Sequence, residues 1–223
     1  PRNLTRTADL SNRLNCKVAQ NNSDVVAQSD LVFLATLPKD IVTTAKNLPW
    51  RENQSAVSVA AGIGLPAIKA AVQPAKVFRA MPISAVRLLR GPTAFYPNDK
   101  HIFQLFNDLG SAHPLNDEKN FEIASIFGAL YGYTHALIDE ASNWAELHGL
   151  NSRYSRVLVS RMLSSAAANV IENKSDRPRK ILDDLLTTGG ITEAGLKVLD
   201  LNDGLQKWRQ ALTSSLNRSR QLE

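Results

Sequence analysis

The chain has 223 residues, of which 43% are hydrophobic and 21% charged, a balance that excludes global disorder. Its longest apolar run, residues 31–38, is far shorter than the ~20 residues of a membrane-spanning helix. The net charge of +5 comes from basic residues that are interleaved with acids along the chain. We therefore predict neither a membrane nor a nucleic-acid partner.

The reactive residue types are too sparse for a disulfide or a metal site. Cys16 is the single cysteine, so an intrachain disulfide and a cysteine-based metal cage are excluded. The four histidines lie far apart, without an i,i+4 pair, so no metal ligand set is predicted. The sequence opens on Pro1 without an initiator methionine or a signal-peptide pattern. We interpret it as a cytoplasmic protein whose sequence is entered partway.

The first half of the chain, residues 1–115, alternates helical patterns with short apolar runs. Helices are predicted at 9–15, after a cap at 22–24, at 39–47 and at 64–73. Strands are predicted at 17–19, 31–35, 56–62 and 76–82, the last three as runs that are buried on both faces. This alternation predicts βαβ units and a parallel sheet.

The second half, residues 116–223, has no strand-like run of comparable strength. Apolar spacing predicts one helix of about thirty residues through 123–145 and a second long helix through 157–171. Shorter helices fit 178–186 and 192–200, and a last helix runs from 202 onward. Both long helices are apolar over more than one face. We therefore predict an all-α dimerisation domain.

The carboxyl ends of the predicted parallel strands are the first candidate site. In open parallel sheets ligands bind at this edge, and here the strands end in 35–38, 60–62 and 80–82. Small residues at two of these ends allow a flat cofactor to approach the backbone. A plainer interpretation is that alanine and glycine end buried strands tightly.

The loop 187–192 is the second candidate site. Gly189 and Gly190 lead directly into a helical pattern, and a glycine turn at a helix start offers free N–H groups to an anion. The loop is thus a candidate binding site for a carboxylate or a phosphate. The alternative is an ordinary helix cap. His135, on the long helix, is more typical of a packed histidine than of an acid or base.

Several segments follow, in order, the motifs of one family. They are DLVFLATLP (30–38), VSVAAGI (57–63), RAMP (79–82) with GPT (91–93), DDLLTTGGIT (183–192) and RSRQL (218–222). With these motifs the chain resembles pyrroline-5-carboxylate reductase, the last enzyme of proline biosynthesis. The resemblance implies a Rossmann-like dinucleotide-binding domain followed by a helical domain that forms a homodimer or a higher homo-oligomer.

The resemblance also implies an oxidoreductase that reduces a cyclic imine with NADP, or with NAD, as the cofactor. Thr192 is then the catalytic residue near the imine nitrogen, and Thr187, Thr188, Gly189 and Gly190 hold the carboxylate of the substrate. The implied cofactor-binding residues are Arg2, Asn22, Ala35, Thr36, Leu37, Pro38, Val59, Ala60, Ala61 and Gly62.

The chain departs from the family at several positions. The strand–GxGxMG–helix that opens the family is absent, and we expect that about thirty residues precede Pro1 in the full protein. The family's SGSGPAY becomes FGALYGY at 127–133, and MPNTP becomes MPISA at 81–85. Two alternatives therefore stay open. One is a catalytically impaired paralogue that binds a ligand or partner as a dimer, and the other is a reductase of a different small carboxylate or imine.

Overall fold

The computed structural model describes residues 3–222, in which helices and strands alternate as far as residue 114 and only helices follow. The strands are β1 (Leu31–Leu34), β2 (Ser55–Ser58), β3 (Lys76–Met81), β4 (Gly91–Tyr96) and β5 (Gly110–Pro114). The helices that accompany them are α1 (Leu4–Leu14), α2 (Asn22–Ala27), α3 (Ile41–Ala45), α4 (Leu65–Val72) and α5 (Lys100–Asp108). The later helices are α6 (Glu118–Ser125), α7 (Phe127–Leu147), α8 (Ser152–Glu172), α9 (Pro178–Asp184), α10 (Ile191–Leu201) and α11 (Gly204–Arg220).

The strands form one sheet in the order β1-β2-β3-β4-β5. β1, β2 and β3 run parallel, with Leu34 opposite Ser58 and Ser58 opposite Arg79. β4 lies antiparallel to β3, and β5 is again parallel to β4. The predicted parallel sheet is confirmed for the first three strands. The β3–β4 pair reverses direction because a short 3₁₀ turn, Ser84–Leu88, joins the two strands in place of a crossover helix.

Apolar side chains pack on both faces of the sheet, which is why its strands are continuous apolar runs. The buried cluster on one face includes Val32, Leu34, Ala56 and Val77 of the strands and Ile41, Ala45, Ile68 and Val72 of α3 and α4. The cluster on the other face includes Val57, Phe78, Ala80 and Phe95 with Ile102 and Phe106 of α5. β2 and β3 are thus buried on both faces, as predicted. The prediction is wrong for β1, which is buried on one face only, because Phe33 on its other face is 44% exposed.

Some expectations for the first half need correction. Residues 17–19 form no strand, because no strand pairs with them and Val18 is exposed. The cap of α2 is Asn21, whose side chain accepts a hydrogen bond from the Asp24 amide at 2.9 Å, so Asn22 is the first helical residue. The sequence patterns predict no element in 91–114, where β4, α5 and β5 lie. Asp99, which caps α5, is the signal that indicates this helix.

The helix predicted through 123–145 is two helices, α6 and α7, with the break at Ile126. The Ile126 amide donates to the carbonyl of Ile123, three residues back, which closes α6 with a 3₁₀-type turn. Gly128, a poor helix former, follows almost at once and favours a break at this point. The other predicted helices of the second half are confirmed as α8 to α11.

Contacts among the described residues divide the chain into two compact units. The first contains the described residues up to Gly128 together with those from Leu216 onward, so the last turn of α11 belongs with the sheet. The second is Ala129–Ser215. The domain boundary between residues 115 and 116 remains our proposal.

Within the second unit, α7 and α11 meet through Tyr133. Its hydroxyl contacts Ser215 and donates to the carbonyl of Ala211 at 3.3 Å, and its ring lies edge-on to Trp208. Large apolar side chains remain exposed on α7, α8 and α10, among them Trp144, Leu147, Met162, Ile171, Ile191 and Leu201. Exposed apolar side chains in this number indicate a surface for another protein chain. In the described part of the chain, no helix combines the length and hydropathy that crossing a membrane requires.

Candidate functional site: the carboxyl edge of the sheet

A cavity of about 830 Å³ lies where the carboxyl ends of β1 and β2 meet. The Val59 amide donates to the carbonyl of Leu34 at 3.2 Å, so the segments that leave the two strands start side by side. This edge is where open parallel sheets bind ligands. The cavity is lined by Asn22, Ala35, Thr36, Leu37, Pro38, Thr44, Val59, Ala60 and Ala61.

The lining combines small apolar groups with a few hydrogen-bonding side chains. Ala35, Ala60 and Ala61 bring the backbone close to the cavity, while Asn22 and Thr36 supply an amide and a hydroxyl. A volume of this size lies within the range of small-molecule and cofactor sites. The residues present therefore fit a flat ring that carries polar substituents, such as a nicotinamide.

Asn22 reaches the cavity because α2 is fixed against the start of β2. The fully buried Gln54 donates through Nε2 to the carbonyls of Val26 and Ser29, at 2.5 and 2.6 Å. Arg51 donates to the carbonyl of Ala27 at 2.7 Å. These bonds satisfy carbonyl groups at the end of α2 that have no partner within the helix. The position of Asn22 in the cavity thus depends on the side chains of Arg51 and Gln54, which lie in the segment before β2.

Gly62 ends the loop that follows β2, in the left-handed region at φ 73°. A Cβ placed on Gly62 would lie 2.8 Å from Leu222 Cβ and 2.8 Å from the carbonyl oxygen of Ser219. The loop therefore turns directly against the C-terminal end of the chain, and only glycine fits there. Gly62 is not among the residues that line the cavity.

An ion pair between the buried Arg79 and the partly exposed Glu118 fixes the segment that follows Gly62. Glu118 Oε1 accepts hydrogen bonds from Arg79 Nη1 at 2.8 Å and from the Leu65 amide at 2.5 Å. The Arg79 side chain is only 4% exposed, and its guanidinium lies over the ring of Phe121 at 4.7 Å. Glu118 thus joins β3, the start of α4 and α6, and it fixes the chain directly after the loop of Gly62.

A second cavity, of about 730 Å³, adjoins this ion pair. Its charged lining residues are Arg79, Glu118, Lys119, Glu122 and Arg220. Arg220 donates through Nε to Glu122 at 2.5 Å, and this hydrogen bond holds the pKa of the Glu122 carboxyl below its ordinary value. Burial opposes this shift, and the positive charges of Arg220, Arg79 and Lys119 add to it. The Glu122–Arg220 pair thus joins α6 to the end of α11.

The lowered pKa of Glu122 predicts a pH-dependent contribution to stability. Because the folded-state pKa lies below the ordinary 4.5, the contribution is complete above pH 4.5 and is lost as the pH falls through the folded-state value. We expect Glu122→Gln to lower the free energy of unfolding at pH 7 by about 0.5–1 kcal/mol, since the pair is partly exposed.

Urea denaturation of both proteins between pH 7 and pH 3 measures this difference. The gap between wild type and Glu122→Gln should close as the pH falls below 4.5. Glu172→Gln, which removes an exposed carboxylate at the end of α8, is the matched control for the loss of one negative charge. A gap that is constant with pH would contradict the prediction.

The loop 187–192 lies in the second unit and leads into α10 as predicted. Gly189 adopts φ 75°, and the amide of Gly190 donates to the carbonyl of Thr187 at 2.8 Å. The cap residue Gly190 makes no side-chain cap, so Ile191 and Thr192 form the first turn with their amides at the open end of α10. Thr192 is exposed. The turn leads backbone amides to the start of α10, but the Gly189 amide already donates to Glu193 Oε2 at 2.6 Å, and anion binding by the loop stays a prediction.

The structure gathers most of the predicted cofactor-binding residues in one place. Eight of the ten line the first cavity, and Gly62 lies at the end of the same loop. Arg2 lies outside the described residues. The third strand end, 80–82, does not contribute to the cavity lining. The sequence patterns missed Thr44, which has no signal beyond a short helix, and Glu118, whose pairing with Arg79 only the fold brings about.

Two family models match the chain. Residues 118–222 match the model described as pyrroline-5-carboxylate reductase dimerisation. Residues 1–62 match the model described as NADP oxidoreductase, coenzyme F420-dependent. The first match covers the helices from α6 onward, and the second includes β1, β2 and both segments that line the first cavity.

Individual relatives match this chain over most of its length. Pyrroline-5-carboxylate reductase 1 of Bacillus spizizenii is 26% identical over 232 residues, which cover 99% of this chain and 77% of the relative. The crystal structure of 1-pyrroline-5-carboxylate reductase from Streptococcus pyogenes has the same fold, with a TM-score of 0.87, 24% identity, and coverage of 98% of this chain and 86% of that one. Plasmodium falciparum pyrroline carboxylate reductase, solved with NADP bound, has a TM-score of 0.83, 19% identity, and coverage of 92% and 81%.

The sequence motifs, the sheet with its carboxyl-edge cavity, and the two model matches all lead to the same assignment. The strand ends that carry the motifs form the cavity, and the helical part matches the family's dimerisation model. The chain is similar to pyrroline-5-carboxylate reductases over nearly its whole length, and its residues 118–222 match the dimerisation model of that family.

Proposed function

We propose that this chain is an oxidoreductase that uses NADP(H) to reduce the C=N bond of a cyclic imine. The expected substrate is pyrroline-5-carboxylate and the expected product is proline. The observation that carries the proposal is the cavity at the ends of β1 and β2, whose lining includes eight residues predicted to bind the cofactor. The NADP oxidoreductase model, which matches residues 1–62, supports the choice of cofactor.

In this proposal the residues of the first cavity hold the nicotinamide side of the cofactor. When bound, NADPH supplies a hydride to the imine carbon, and the imine nitrogen takes up a proton. The alanines at the strand ends allow close approach of a ring to the backbone, and Thr36 and Asn22 offer hydrogen bonds to its polar substituents. Gln54 and the Arg79–Glu118 pair keep these segments in place.

The loop 187–192 is proposed to bind the substrate. Backbone N–H groups at the start of α10 bind a carboxylate well, because the helix dipole adds partial positive charge there. Thr192, in the first turn of α10, is proposed to place its hydroxyl near the imine nitrogen, which must be protonated for reduction. Thr187 and Thr188 add hydroxyl groups to the same loop.

We further propose that the second unit forms a homodimer. The match to the dimerisation model and the exposed apolar side chains of α7, α8 and α10 support this assembly. Burial of such side chains stabilises an assembly by about 25 cal/mol per Å² of apolar surface. Sedimentation of the purified protein measures the assembly state, and a monomer at micromolar concentration would contradict the proposal.

The role of Thr192 gives a direct test of the chemistry. We expect Thr192→Val to lower kcat for pyrroline-5-carboxylate about 10²-fold, because the variant keeps the shape of the side chain but loses its hydroxyl. The dissociation constant for NADPH should stay within a factor of two. Steady-state oxidation of NADPH and a fluorescence titration with NADPH measure the two quantities.

Thr192→Ser is the matched control, because it keeps the hydroxyl and should retain most of the activity. Unchanged turnover in Thr192→Val would remove Thr192 from the mechanism. A wild-type protein that binds no NADPH would overturn the reductase proposal as a whole and favour a role in binding a ligand or partner.

A further inference from the structure

A carboxylate of the protein itself already occupies part of the loop that is proposed to bind the substrate. Glu193, one residue after Thr192, folds back over the first turn of α10. Its Oε2 accepts a hydrogen bond from the Gly189 amide at 2.6 Å, and its Oε1 lies 3.0 Å from Nζ of Lys197. Both contacts, the one from Lys197 first, hold the pKa of Glu193 below its ordinary value, so the group is ionised at neutral pH.

The Glu193 contact leaves no glycine amide of the turn free to donate a hydrogen bond to a substrate. The Gly190 amide is directed to the carbonyl of Thr187 at 2.8 Å, and Gly189 donates to Glu193. A Cβ placed on Gly190 would clash with Thr187, so the turn is compact. An incoming carboxylate therefore finds both glycine amides engaged. It also meets the negative charge of the Glu193 carboxylate, which is paired with Lys197, beside the Gly189 amide.

We propose that Glu193 is a specificity-determining residue: it competes with the carboxylate of the substrate for the Gly189 amide and so shifts selection toward cyclic imines without a carboxylate, such as 1-pyrroline. This inference rests on the proposed function, because it assumes that the loop 187–190 faces the substrate. Glu193 is partly exposed, so its carboxylate exchanges with an incoming one rather than blocking the site permanently.

The test compares two substrates that differ only in the carboxylate. The ratio of kcat/KM for pyrroline-5-carboxylate to kcat/KM for 1-pyrroline is measured with NADPH for wild type, Glu193→Ala and Glu193→Gln. We expect the ratio to rise about tenfold in Glu193→Ala, which frees the amide, as one charge-assisted hydrogen bond is regained by the substrate. Glu193→Gln removes the charge but keeps an acceptor oxygen, so its ratio should lie between the other two.

Asp200→Ala is the matched control. Asp200 is an exposed acid on the same helix, two turns further on, and its loss should leave the ratio unchanged. An equal rise in Asp200→Ala would mean that the general negative field of α10, not the Gly189 contact, sets the preference. A ratio that stays constant or falls in Glu193→Ala would overturn the proposal.

A binding measurement separates this proposal from the proposed function. If wild type reduces neither imine, the proposed function fails, and the competition at Gly189 is then judged by NMR titration of the Gly189 amide with proline and with pyrrolidine. A proline-induced shift in Glu193→Ala that is absent or weaker in wild type supports the competition. Equal shifts in both proteins, or none in either, overturn it.

Discussion

Replacing Glu118 with glutamine is expected to lower the free energy of unfolding by about 3 kcal/mol, because the charge of the buried Arg79 then loses its counter-ion. Removing one partner of a buried pair costs about 3–5 kcal/mol. The low end applies here because the Glu118 side chain is 34% exposed and glutamine can still accept the hydrogen bond of the Leu65 amide. Urea denaturation at pH 7 measures the change.

Two comparisons make this measurement decisive. Asp9→Asn breaks an exposed pair with Arg13 on α1 and should cost less than about 0.5 kcal/mol. The double variant Arg79→Met, Glu118→Met leaves no charge buried and should be more stable than Glu118→Gln alone. If Glu118→Gln costs no more than Asp9→Asn, the pair does not stabilise the fold.

Replacing Gly62 with alanine is expected to lower the free energy of unfolding by about 2–4 kcal/mol. A left-handed conformation costs a non-glycine residue roughly 1–2 kcal/mol, and overpacking adds about 1–3 kcal/mol. The clash is with Leu222 Cβ and the Ser219 carbonyl oxygen, neither of which is the far end of a flexible side chain, so the backbone must shift to relieve it. The same change displaces the loop after β2, so the dissociation constant for NADPH should rise about tenfold, by roughly 1.4 kcal/mol.

Gly64→Ala is the matched control for Gly62→Ala. Gly64 lies two residues further on, has φ −66°, and a Cβ there would lie 3.6 Å from Pro66, an ordinary contact. We expect this variant to cost less than about 1 kcal/mol, the size of a helix-cap effect. Chemical denaturation and NADPH fluorescence titration of both variants test the pair. Similar losses in the two would show that the contact with the C-terminal end is not the cause.

Gly62 and Glu118 both position the segment that connects β2 to α4. Gly62 fixes where the β2 loop turns, and Glu118 fixes the start of the helix that follows. Residues 59–61, which lie between β2 and Gly62, line the candidate cofactor cavity. The C-terminal end of α11 and the start of α6 thus support the cofactor loop, although they lie far from it in sequence.

Local sequence patterns sufficed where a residue's environment follows from its neighbours along the chain. The buried runs of β1, β2 and β3 predicted parallel strands, and their common direction placed 35–38 beside 59–61. The glycine pair at 189–190 predicted the start of α10. Local patterns failed at β4 and β5, which contain glycine and proline and are stabilised by pairing with neighbouring strands rather than by their own periodicity.

The sequence alone indicated a resemblance to one family, the alternation of β1, β2 and β3 with helices, and the edge of the sheet at which a cofactor is expected, because periodicity and strand direction are local properties. Only the tertiary structure decided which distant residues meet. It pairs Arg79 with Glu118, brings Leu222 against Gly62, and folds Glu193 back onto Gly189. Such contacts depend on how the backbone places side chains in space, so residue type and spacing do not predict them.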